Sequence, residues 1–579
     1  MSDFLFCRNE QAIHQLAKPL KDLMPEPELV KVEEYSGTWG ALAVTLGPYN
    51  GFAPYEDESH ICVVIGGPVL YWRDNHFLTN AQQPTEATQA ILQRWQSGAA
   101  DWSEDLSGPF VILIVNKNTA EIFCYTDLMT FIPVYQYLLD ISFCLGTHVD
   151  TVAKIANQNK NVDEVSVADF ILHSIVTYPH TLYSNLFQLA PATEHRWLLN
   201  NSKNIEQRTP YWEPLEINSY KNINEAAIAL RIGLAGYIER ITETMTEVGQ
   251  FISAGEDSRS VAGLLPERLK RDAYIYVDSK NREFKLAKRV SDAYGCEFNY
   301  ILRSPTHYLD ILPKASKLVG NGQQYTNAHT LGLAKQSGAD KKLAVFGGFL
   351  SDTLLKAHHS KKNKTYKRFY FLPEFFIKGT DRTISNNSLV FGSNILEEIN
   401  KRRAIHYSYV SSLRKDSAYE WFNVWPITMH VDFPNITVNR RLFPSYEVFT
   451  SKDVVKVSAM VPTQWKLNRK LFHKALKPAL KASKLIPHGD GRLPYYPWYL
   501  NSFLQLPRWN KRVFNKALNV KKVDGSWTNW KNLSKKIDCN IEKEYEEQVL
   551  SSNVCNEVNY KSLTLEQRVN LLTVLHLMK

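Results

Sequence analysis

The stretch GQFISAGEDSRSVAGLL, from Gly249 to Leu265, joins a strand-like run to a tight turn and the start of a helix. Small residues in the turn let the main chain approach an anion, which the N–H groups and positive dipole end of the helix would face. Ser253, Gly255 and Ser258 are therefore expected to contact phosphate oxygens. Asp257 suits Mg²⁺ beside those phosphates, while a helix-capping aspartate is the simpler alternative. The stretch predicts a pyrophosphate cradle, with ATP as its ligand.

The segments on both sides of this stretch alternate between strand and helix patterns. A helical pattern from Ile223 to Met245 precedes it, and AYIYVDS, REFKLAKRVSDAYG, EFNYIL and KLAVFGG follow it. This alternation predicts a parallel α/β sheet, which binds ligands at the carboxyl ends of its strands. In KLAVFGGFLSD, Gly347 and Gly348 end such a strand and Asp352 follows. We expect Asp352 to lie near Asp257 and to share Mg²⁺ with it, and a loop-end cap is the alternative.

The first 200 residues are rich in strand patterns. HICVVIGGPVLYW, from His60 to Trp72, contains β-branched runs broken by Gly-Gly-Pro, and residues 108–127 contain two apolar runs joined by NKNT, which suits a hairpin. A helix between them is expected to end at Gly98. Several strands with occasional helices predict a layered α+β domain.

Bulk composition excludes several classes of protein. The 579 residues are too many for one core and predict two or three domains, and the net charge of +9 is a small excess for this length. The basic run from Lys356 to Phe369 is expected to be a solvated loop, with contact to an anionic partner as the alternative. Nothing pairs this run with the aromatic interleaving of a nucleic-acid groove, so no nucleic acid is expected as a partner. Seven scattered cysteines argue against disulfides and structural zinc. Without a signal peptide or a membrane span, a cytoplasmic protein is expected.

Taken in order, these segments resemble the asparagine synthetase family from near the N-terminus to about residue 510. SAGEDS stands where the family has SGGxDS, and GGFLSDT stands where it has GxGxDE. SYEVFTSKD resembles EVRxPFLD, and HGDGRLPYYPW takes the place of RxKxGF. In the N-terminal part, residues 108–137 resemble the hairpin of the amidotransferase domain, and TLYSNLFQLAPATEHRW resembles the stretch that closes it. The order and spacing of these motifs carry the resemblance.

The resemblance implies an Ntn-hydrolase-like, class II glutamine amidotransferase-like layered domain, followed by a PP-loop ATP pyrophosphatase-type α/β domain with a helical C-terminal part. The implied limits are residues 1–215 for the first domain, 219–515 for the second and 516–579 for a helical appendage. ATP and Mg²⁺ are the implied cofactors. A homodimer is one assembly that the resemblance leaves open.

Three parts of the family's glutamine site are changed together. The nucleophilic cysteine at position 2 is Ser2, the NGEIYN loop is GGPVLYW, and the Asp-Gly before the hairpin is Ser107-Gly108. We therefore expect no glutaminase activity from this domain, and Ser2 as a weak replacement nucleophile is the alternative.

The synthetase half also departs from the family. Arg492 is the cation nearest to the position of the family's catalytic Lys, where it could stabilise charge but not shuttle a proton. Thr353 replaces the Glu that follows the second-loop Asp, which weakens the case for aspartate as substrate. Glu447 is expected either to bind the amine as a general base or to form an ion pair with Arg440 or Arg441.

The expected function is an ATP-dependent ligase that adenylates a carboxylate and transfers it to ammonia or an amine, releasing AMP and pyrophosphate. The acid would be a larger molecule, such as a uronic acid of a polysaccharide, a peptide or a secondary-metabolite acid. The nitrogen would come from free ammonia or an amine of the substrate, as in β-lactam synthetase-like and lasso-cyclase-like relatives. One alternative is a catalytically degenerate member that binds a nucleotide or a partner. A glutamine-dependent asparagine synthetase is the other.

Overall fold

The computed structural model describes residues 3–139, 142–200, 203–362, 372–376, 391–517, 530–546 and 558–577. Ser2 and residues 363–369 of the basic run lie outside these ranges. In the described part of the chain, every helix is too short or too polar to cross a lipid bilayer.

Two antiparallel sheets of six strands form the N-terminal half. The first has the strand order β12-β10-β11-β1-β3-β2, the second has the order β14-β13-β9-β8-β5-β4, and β6 and β7 form a separate pair. The strands are β1 (Phe4–Cys7), β2 (Val32–Gly37), β3 (Gly40–Thr45), β4 (Tyr55–Glu56), β5 (His60–Gly66), β6 (Val69–Leu70), β7 (Leu106–Ser107), β8 (Phe110–Asn116), β9 (Ile122–Thr126), β10 (Tyr135–Leu139), β11 (Ser142–Gly146), β12 (Leu186–Gln188), β13 (Thr193–Asn200) and β14 (Lys203–Pro210). The hairpin expected within residues 108–127 is confirmed as β8 and β9.

Six helices accompany these sheets. They are α1 (Ile13–Lys21), α2 (Phe77–Asn80), α3 (Glu86–Gln96), α4 (Trp102–Asp105), α5 (Val149–Ile155) and α6 (Glu164–His173). The helix expected to end at Gly98 is confirmed as α3, and Gly98 follows it with a φ of +67°.

Alternation of side chains along the strands separates two faces of each sheet. In β8, Val111, Leu113 and Val115 lie in the core between the sheets, whereas Ile112 and Ile114 lie in the core on the outer side. Helices α1 and α5 cover the outer face of the first sheet, and α3 covers that of the second. The result is the layered domain that the sequence predicts.

The second half contains a parallel sheet of five strands in the order β17-β16-β15-β18-β19. The strands are β15 (Glu247–Phe251), β16 (Lys270–Val277), β17 (Glu297–Leu302), β18 (Val345–Gly347) and β19 (Ser445–Glu447). Counted along the chain, this order is 3-2-1-4-5, so the direction of winding reverses between β15 and β18. Ligands of open α/β sheets bind at the carboxyl ends of the strands at such a reversal.

Helices surround this sheet and continue beyond it. They are α7 (Ile223–Thr242), α8 (Glu256–Leu264), α9 (Arg282–Ala293), α10 (His307–Asp310), α11 (Leu312–Val319), α12 (Leu333–Ser337), α13 (Ser351–Leu355), α14 (Ser393–Leu413), α15 (Ala418–Phe422), α16 (Pro434–Leu442), α17 (Lys452–Met460), α18 (Thr463–Lys466), α19 (Lys470–Leu476), α20 (Trp498–Ala517), α21 (Trp530–Glu546) and α22 (Leu565–Leu577). The antiparallel sheets end at Pro210 and α7 begins at Ile223, whereas the domain limits drawn from the sequence stay predictions.

The last helix packs against the N-terminal half. Buried residues of α22 share one apolar core with residues of α6, and the side chain of Asn570 donates to the main-chain oxygen of Phe170 at 3.2 Å and to Ser174 Oγ at 2.9 Å. Helix α22 is therefore docked on the N-terminal half, whereas the helical appendage over residues 516–579 stays a prediction.

Candidate functional site

The turn between β15 and α8 forms the proposed anion cradle. Helix α8 begins after Gly255, which has no side chain to cap the first turn, so N–H groups of that turn stay available to a ligand. The hydroxyls of Ser253 and Ser258 lie 3.0 Å apart, and Ser253 Oγ accepts from the Gly255 N–H at 3.0 Å. Glu283 holds the turn from α9, because its carboxylate accepts from the Ala254 N–H at 2.7 Å.

The loop after β18 lies directly beside this cradle. Because β18 pairs in parallel with β15, the carboxyl ends of the two strands meet at the same edge of the sheet. A Cβ added to Gly348 would lie 3.1 Å from the Cβ of Asp257 and 3.3 Å from the Ser258 nitrogen. Gly347 allows a similar close approach to Glu447, because a Cβ at Gly347 would overlap the Glu447 carboxylate. Both predicted glycines permit close approach of the main chain.

The two loops bring three carboxylates together. Glu256, Asp257 and Asp352 each place an oxygen atom within 4.8 Å of the others, and we call these residues the carboxylate triad. Lys356, one helical turn after Asp352, lies among them. Its Nζ is 3.0 Å from Glu256 Oε1 and 2.9 Å from Asp352 Oδ1, and it also bonds Asp257 Oδ1. The predicted proximity of Asp257 and Asp352 is present, and Lys356 links them.

Two arginines add positive charge around the carboxylate of Glu256. Arg469 Nε lies 2.7 Å from Glu256 Oε1, and Arg492 Nη1 lies 3.4 Å from Glu256 Oε2. Asp490 orients Arg492 through a contact of 2.7 Å to its Nε. Burial opposes ionisation of Glu256, but Lys356, Arg492 and Arg469 outweigh it and hold the pKa of this carboxyl well below its usual range. Arg492 therefore lies in the cluster where the sequence places it.

The remaining members of the triad differ in exposure. The side chain of Asp352 is 59% exposed, whereas that of Asp257 is 23% exposed. Burial raises the pKa of Asp257 to about 6, against the opposing charge of Lys356. A ligand arriving from solvent therefore reaches Asp352 first and Asp257 behind it.

Glu447 lies at the end of β19, next to the second loop. Its carboxylate accepts from the Phe349 N–H at 2.9 Å, and burial raises its pKa to about 7. Arg440 and Arg441, the partners that the sequence offers Glu447 for an ion pair, both bond the carboxylate of Asp3. A buried carboxyl that titrates near neutrality is suited to accepting or donating a proton.

Sequence reasoning missed Glu256, Lys356 and Arg469 as members of the site. The adjacent acids at positions 256 and 257 and the spacing of four residues between Asp352 and Lys356 were the available signals. Lys356 looked like the start of a solvated basic run, but its side chain is 4% exposed and also lies 4.2 Å from the centre of the Phe472 ring.

Two further basic residues are buried where the sequence favours exposure. From its place in the first turn of α8, Arg259 is predicted to be a surface residue or a phosphate contact. It is neither, because its side chain is fully buried and donates to the main-chain oxygens of Ala254, Ile486 and Pro487. In WKLNRKLFHKAL, the spacing of Lys466, Lys470 and Lys474 predicts one helix with these lysines on a solvated face. Lys466 is instead 1% exposed and lies 2.7 Å from Glu420. The helix is interrupted at Asn468 and Arg469, whose φ angles are positive, so Lys466 does not share a helix with the other two lysines.

The region that corresponds to the glutamine site is filled by aromatic rings. A Cβ at Gly67, in the Gly-Gly-Pro turn, would overlap the ring of Tyr49, and one at Gly108 would lie 2.6 Å from the hydroxyl of Tyr237 in α7. Ser107 accepts from the Lys452 N–H at 3.0 Å. Ser107 and Gly108 are therefore packed against the second half of the chain, whereas the Gly-Gly-Pro turn is packed against Tyr49 of the first half.

Comparison with known proteins gives a match for part of the chain. Residues 71–212 match the glutamine amidotransferase domain family. No curated protein matches the chain. Among solved structures, "Structure of the allosteric regulatory enzyme of purine biosynthesis" is 10% identical, with a TM-score of 0.22, and the alignment covers 53% of this chain and 81% of that one.

A second solved structure is glutamine phosphoribosylpyrophosphate amidotransferase from B. subtilis, complexed with ADP and GMP. It is 10% identical, with a TM-score of 0.21, and the alignment covers 52% of this chain and 65% of that one. The family match thus gives the chain a glutamine amidotransferase-like domain over residues 71–212 and fits a role in nitrogen transfer. The narrower resemblance to asparagine synthetases rests on the motifs.

Proposed function

We propose that this chain is an ATP-dependent ligase that adenylates a carboxylate and transfers the acyl group to ammonia or an amine. The observation that carries the proposal is the meeting of Asp257 and Asp352 beside the N-terminus of α8, at the reversal point of the parallel sheet. Three carboxylates at this position provide the ligand type that Mg²⁺ prefers, so the residues fit the metal. When bound, Mg²⁺ would neutralise phosphate charge during attack on the α-phosphorus.

The residues of the site have separate roles in the proposed reaction. Ser253, Ser258 and the N–H groups of the first turn of α8 would bind the pyrophosphate portion of ATP. A carboxylate oxygen of the substrate attacks the α-phosphorus, and the bond to pyrophosphate breaks. Arg492, which is fixed by Asp490, would stabilise the negative charge that develops on the phosphate.

The second step forms the amide. The nitrogen of ammonia or an amine attacks the acyl carbon, and AMP leaves with the electron pair of the broken C–O bond. The nitrogen also loses a proton, which Glu447 would accept as general base, because a carboxyl with a pKa of about 7 is partly ionised at neutral pH.

The proposal assigns no glutaminase activity to the amidotransferase-like domain. Support comes from Ser2 at the position of the nucleophile and from Tyr49 and Tyr237, which pack against the two changed glutamine loops. Nitrogen would therefore come from free ammonia or from an amine on the second substrate. A glutamine-dependent asparagine synthetase is correspondingly disfavoured.

One experiment tests the reaction class. The full chain is incubated with ATP, Mg²⁺, ammonium and a panel of carboxylates that includes aspartate, uronic acids and peptides, and the nucleotide products are separated. AMP and pyrophosphate, formed only with one acid class, are the expected products. ADP and orthophosphate would overturn the adenylation mechanism.

A second candidate is a catalytically degenerate protein that binds a nucleotide without turnover. The observation that favours it is that cations already pair with the triad: Lys356 contacts all three carboxylates, and Arg469 and Arg492 contact Glu256. ATP binding without AMP formation across the whole panel would support this candidate.

A further inference from the structure

The ammonium of Lys356 stands where a metal shared by the carboxylate triad would stand. Its three N–H donors are directed to three different carboxylates: 3.0 Å to Glu256 Oε1, 2.9 Å to Asp352 Oδ1, and a contact to Asp257 Oδ1. The side chain is 4% exposed, and the Phe472 ring covers it at 4.2 Å. This ammonium therefore has a complete set of partners.

The same three oxygens cannot hold both cations at once. Mg²⁺ needs its oxygen ligands at roughly 2.0–2.1 Å, so a metal shared by these carboxylates would occupy the space between them, where the Lys356 nitrogen lies. Two positive charges so close, in a partly buried site, repel strongly. Metal entry requires the ammonium to leave its three carboxylates.

The main chain at Lys356 lies close to Asp352 in the sequence, so its side chain starts beside the site. Lys356 lies four residues after Asp352, just past the end of α13, so its flexible stem starts beside the second loop. Rotation of that stem can withdraw the charge without moving Asp352. The neighbouring first turn of α8, which contains Asp257, is where the phosphates of a nucleotide are proposed to bind, so a displaced ammonium would meet negative charge there.

We infer that Lys356 is a tethered cation that holds the carboxylate triad together until a divalent metal displaces it, and that it thereby sets the affinity of the site for metal. The inference rests on the proposed function in taking the triad as the metal site. Lys356 is a positioning residue in this scheme: it acts through Glu256, Asp257 and Asp352.

The test measures metal binding to the full chain without nucleotide. Mg²⁺ binding is followed by titration calorimetry and Mn²⁺ binding by electron paramagnetic resonance, for the wild type, Lys356→Met and Lys356→Arg. Met keeps the length of the stem and removes the charge, so Lys356→Met is expected to bind both metals at least about tenfold more tightly than the wild type. Lys356→Arg retains the charge and is expected to bind them as weakly as the wild type.

Thermal unfolding gives a second readout. Lys356→Met leaves three carboxylates without their shared cation, so it should melt below the wild type in EDTA and recover when Mg²⁺ is added. Lys466→Met is the matched control, because Lys466 is an equally buried lysine that pairs with Glu420 outside the triad. Its melting temperature should fall as well, but Mg²⁺ should not restore it.

Labelling of the unmodified chain covers the case in which Lys356→Met fails to fold. An acetylating reagent should modify Lys356 several-fold faster at saturating Mg²⁺ than in EDTA, as read by mass spectrometry of its peptide. Unchanged labelling, metal affinity within about twofold of the wild type in Lys356→Met, or a melting loss that Mg²⁺ does not reverse would each make Lys356 a structural ion-pair residue only.

The outcome is separable from that of the proposed function. If Lys356→Met binds metal more tightly but the wild type forms no AMP, the role of Lys356 is supported and the ligase function is contradicted. If the wild type forms AMP but Lys356→Met binds metal as the wild type does, the ligase function is supported and the role of Lys356 is contradicted.

Discussion

Gly348 and Asp257 touch across the two loops of the site: a Cβ on the glycine would lie 3.1 Å from the Cβ of the aspartate. The contact joins the ends of β15 and β18, which are neighbours in the sheet but about a hundred residues apart along the chain. Because a Cβ at position 348 would be in tight contact with Asp257, the position of Asp257 relative to the second loop depends on this glycine.

Gly348→Ala should therefore separate the two loops by a few tenths of an ångström and weaken Mg-ATP binding by at least about tenfold. Titration calorimetry with a non-hydrolysable ATP analogue measures this change. Gly236→Ala in α7 is the matched control: nothing lies within 4 Å of its added Cβ, so it should leave binding unchanged. It should also raise the free energy of unfolding by about 0.5–1 kcal/mol. Equal binding by both variants would contradict the prediction.

Asp257→Asn should lower the rate of AMP formation by about 100-fold, because the amide is a poorer metal ligand than the carboxylate and no longer balances Lys356. Separation of labelled nucleotides measures the rate. Asp292→Asn, on the exposed face of α9, removes a carboxylate that pairs with Lys288 and should leave the rate unchanged. A rate for Asp257→Asn within a few-fold of the wild type would show that this carboxylate is dispensable.

Glu447→Gln should flatten the pH dependence of stability. Burial raises the folded-state pKa of Glu447 from 4.5 to about 7, so its contribution is complete below about pH 4.5 and is lost as the pH rises through 7. The wild type should lose up to about 3 kcal/mol of unfolding free energy through this group between pH 5 and pH 8. Urea unfolding at both values measures the loss. The exposed Glu239→Gln should keep the wild-type slope, and an unchanged slope in Glu447→Gln would refute the assignment.

Asp3→Asn should destabilise the protein by about 3–5 kcal/mol. Asp3 is completely buried and bonds Arg440 Nη2 at 2.9 Å and Arg441 Nη2 at 2.8 Å, so the change leaves two buried guanidiniums without their carboxylate. Chemical denaturation followed by tryptophan fluorescence measures the loss. Asp74→Asn, at an exposed position, should shift the midpoint little. A similar small shift for Asp3→Asn would mean that these arginines are satisfied in another way.

Glutamine should not serve as a nitrogen source. Incubation with glutamine should release no glutamate above background, and Ser2→Cys alone should not change this, because the two other parts of the glutamine site also differ from the family. Ammonium should support product formation at the same concentration of chain. Release of glutamate by the wild type would revive the alternative of Ser2 as nucleophile.

The alternation of strand and helix patterns was sufficient to predict the parallel sheet and to place Asp257 and Asp352 at one edge of it, because strand ends of a parallel sheet share an edge. The contacts of Lys356 could not be predicted in this way. A local pattern places the first lysine of a basic run in solvent, whereas Lys356 is buried by Glu256 and Phe472, each about a hundred residues away along the chain.

The burial of Arg259 and Lys466 could not be predicted from the sequence either. Local patterns place basic residues in solvent, and they are buried here by segments distant in sequence: Arg259 by the carbonyls of Ile486 and Pro487, and Lys466 by Glu420. The break at Asn468 and Arg469 needs left-handed main-chain conformations at two successive residues that are not glycine, and although asparagine adopts this conformation more readily than most residues, arginine does not, so the sequence favours a continuous helix there.

The ion pair between Asp3 and Arg441 also bears on how the chain is made. Strand β1 lies inside its sheet, between β11 and β3, yet the carboxylate next to it finds its partners 437 and 438 residues later. During synthesis on the ribosome, Asp3 cannot pair with these arginines until α16 has emerged. If the first sheet folds before that point, it buries the Asp3 carboxylate without its guanidinium partners. A nascent chain arrested before residue 440 should be more sensitive to protease in its N-terminal half than one released after residue 441.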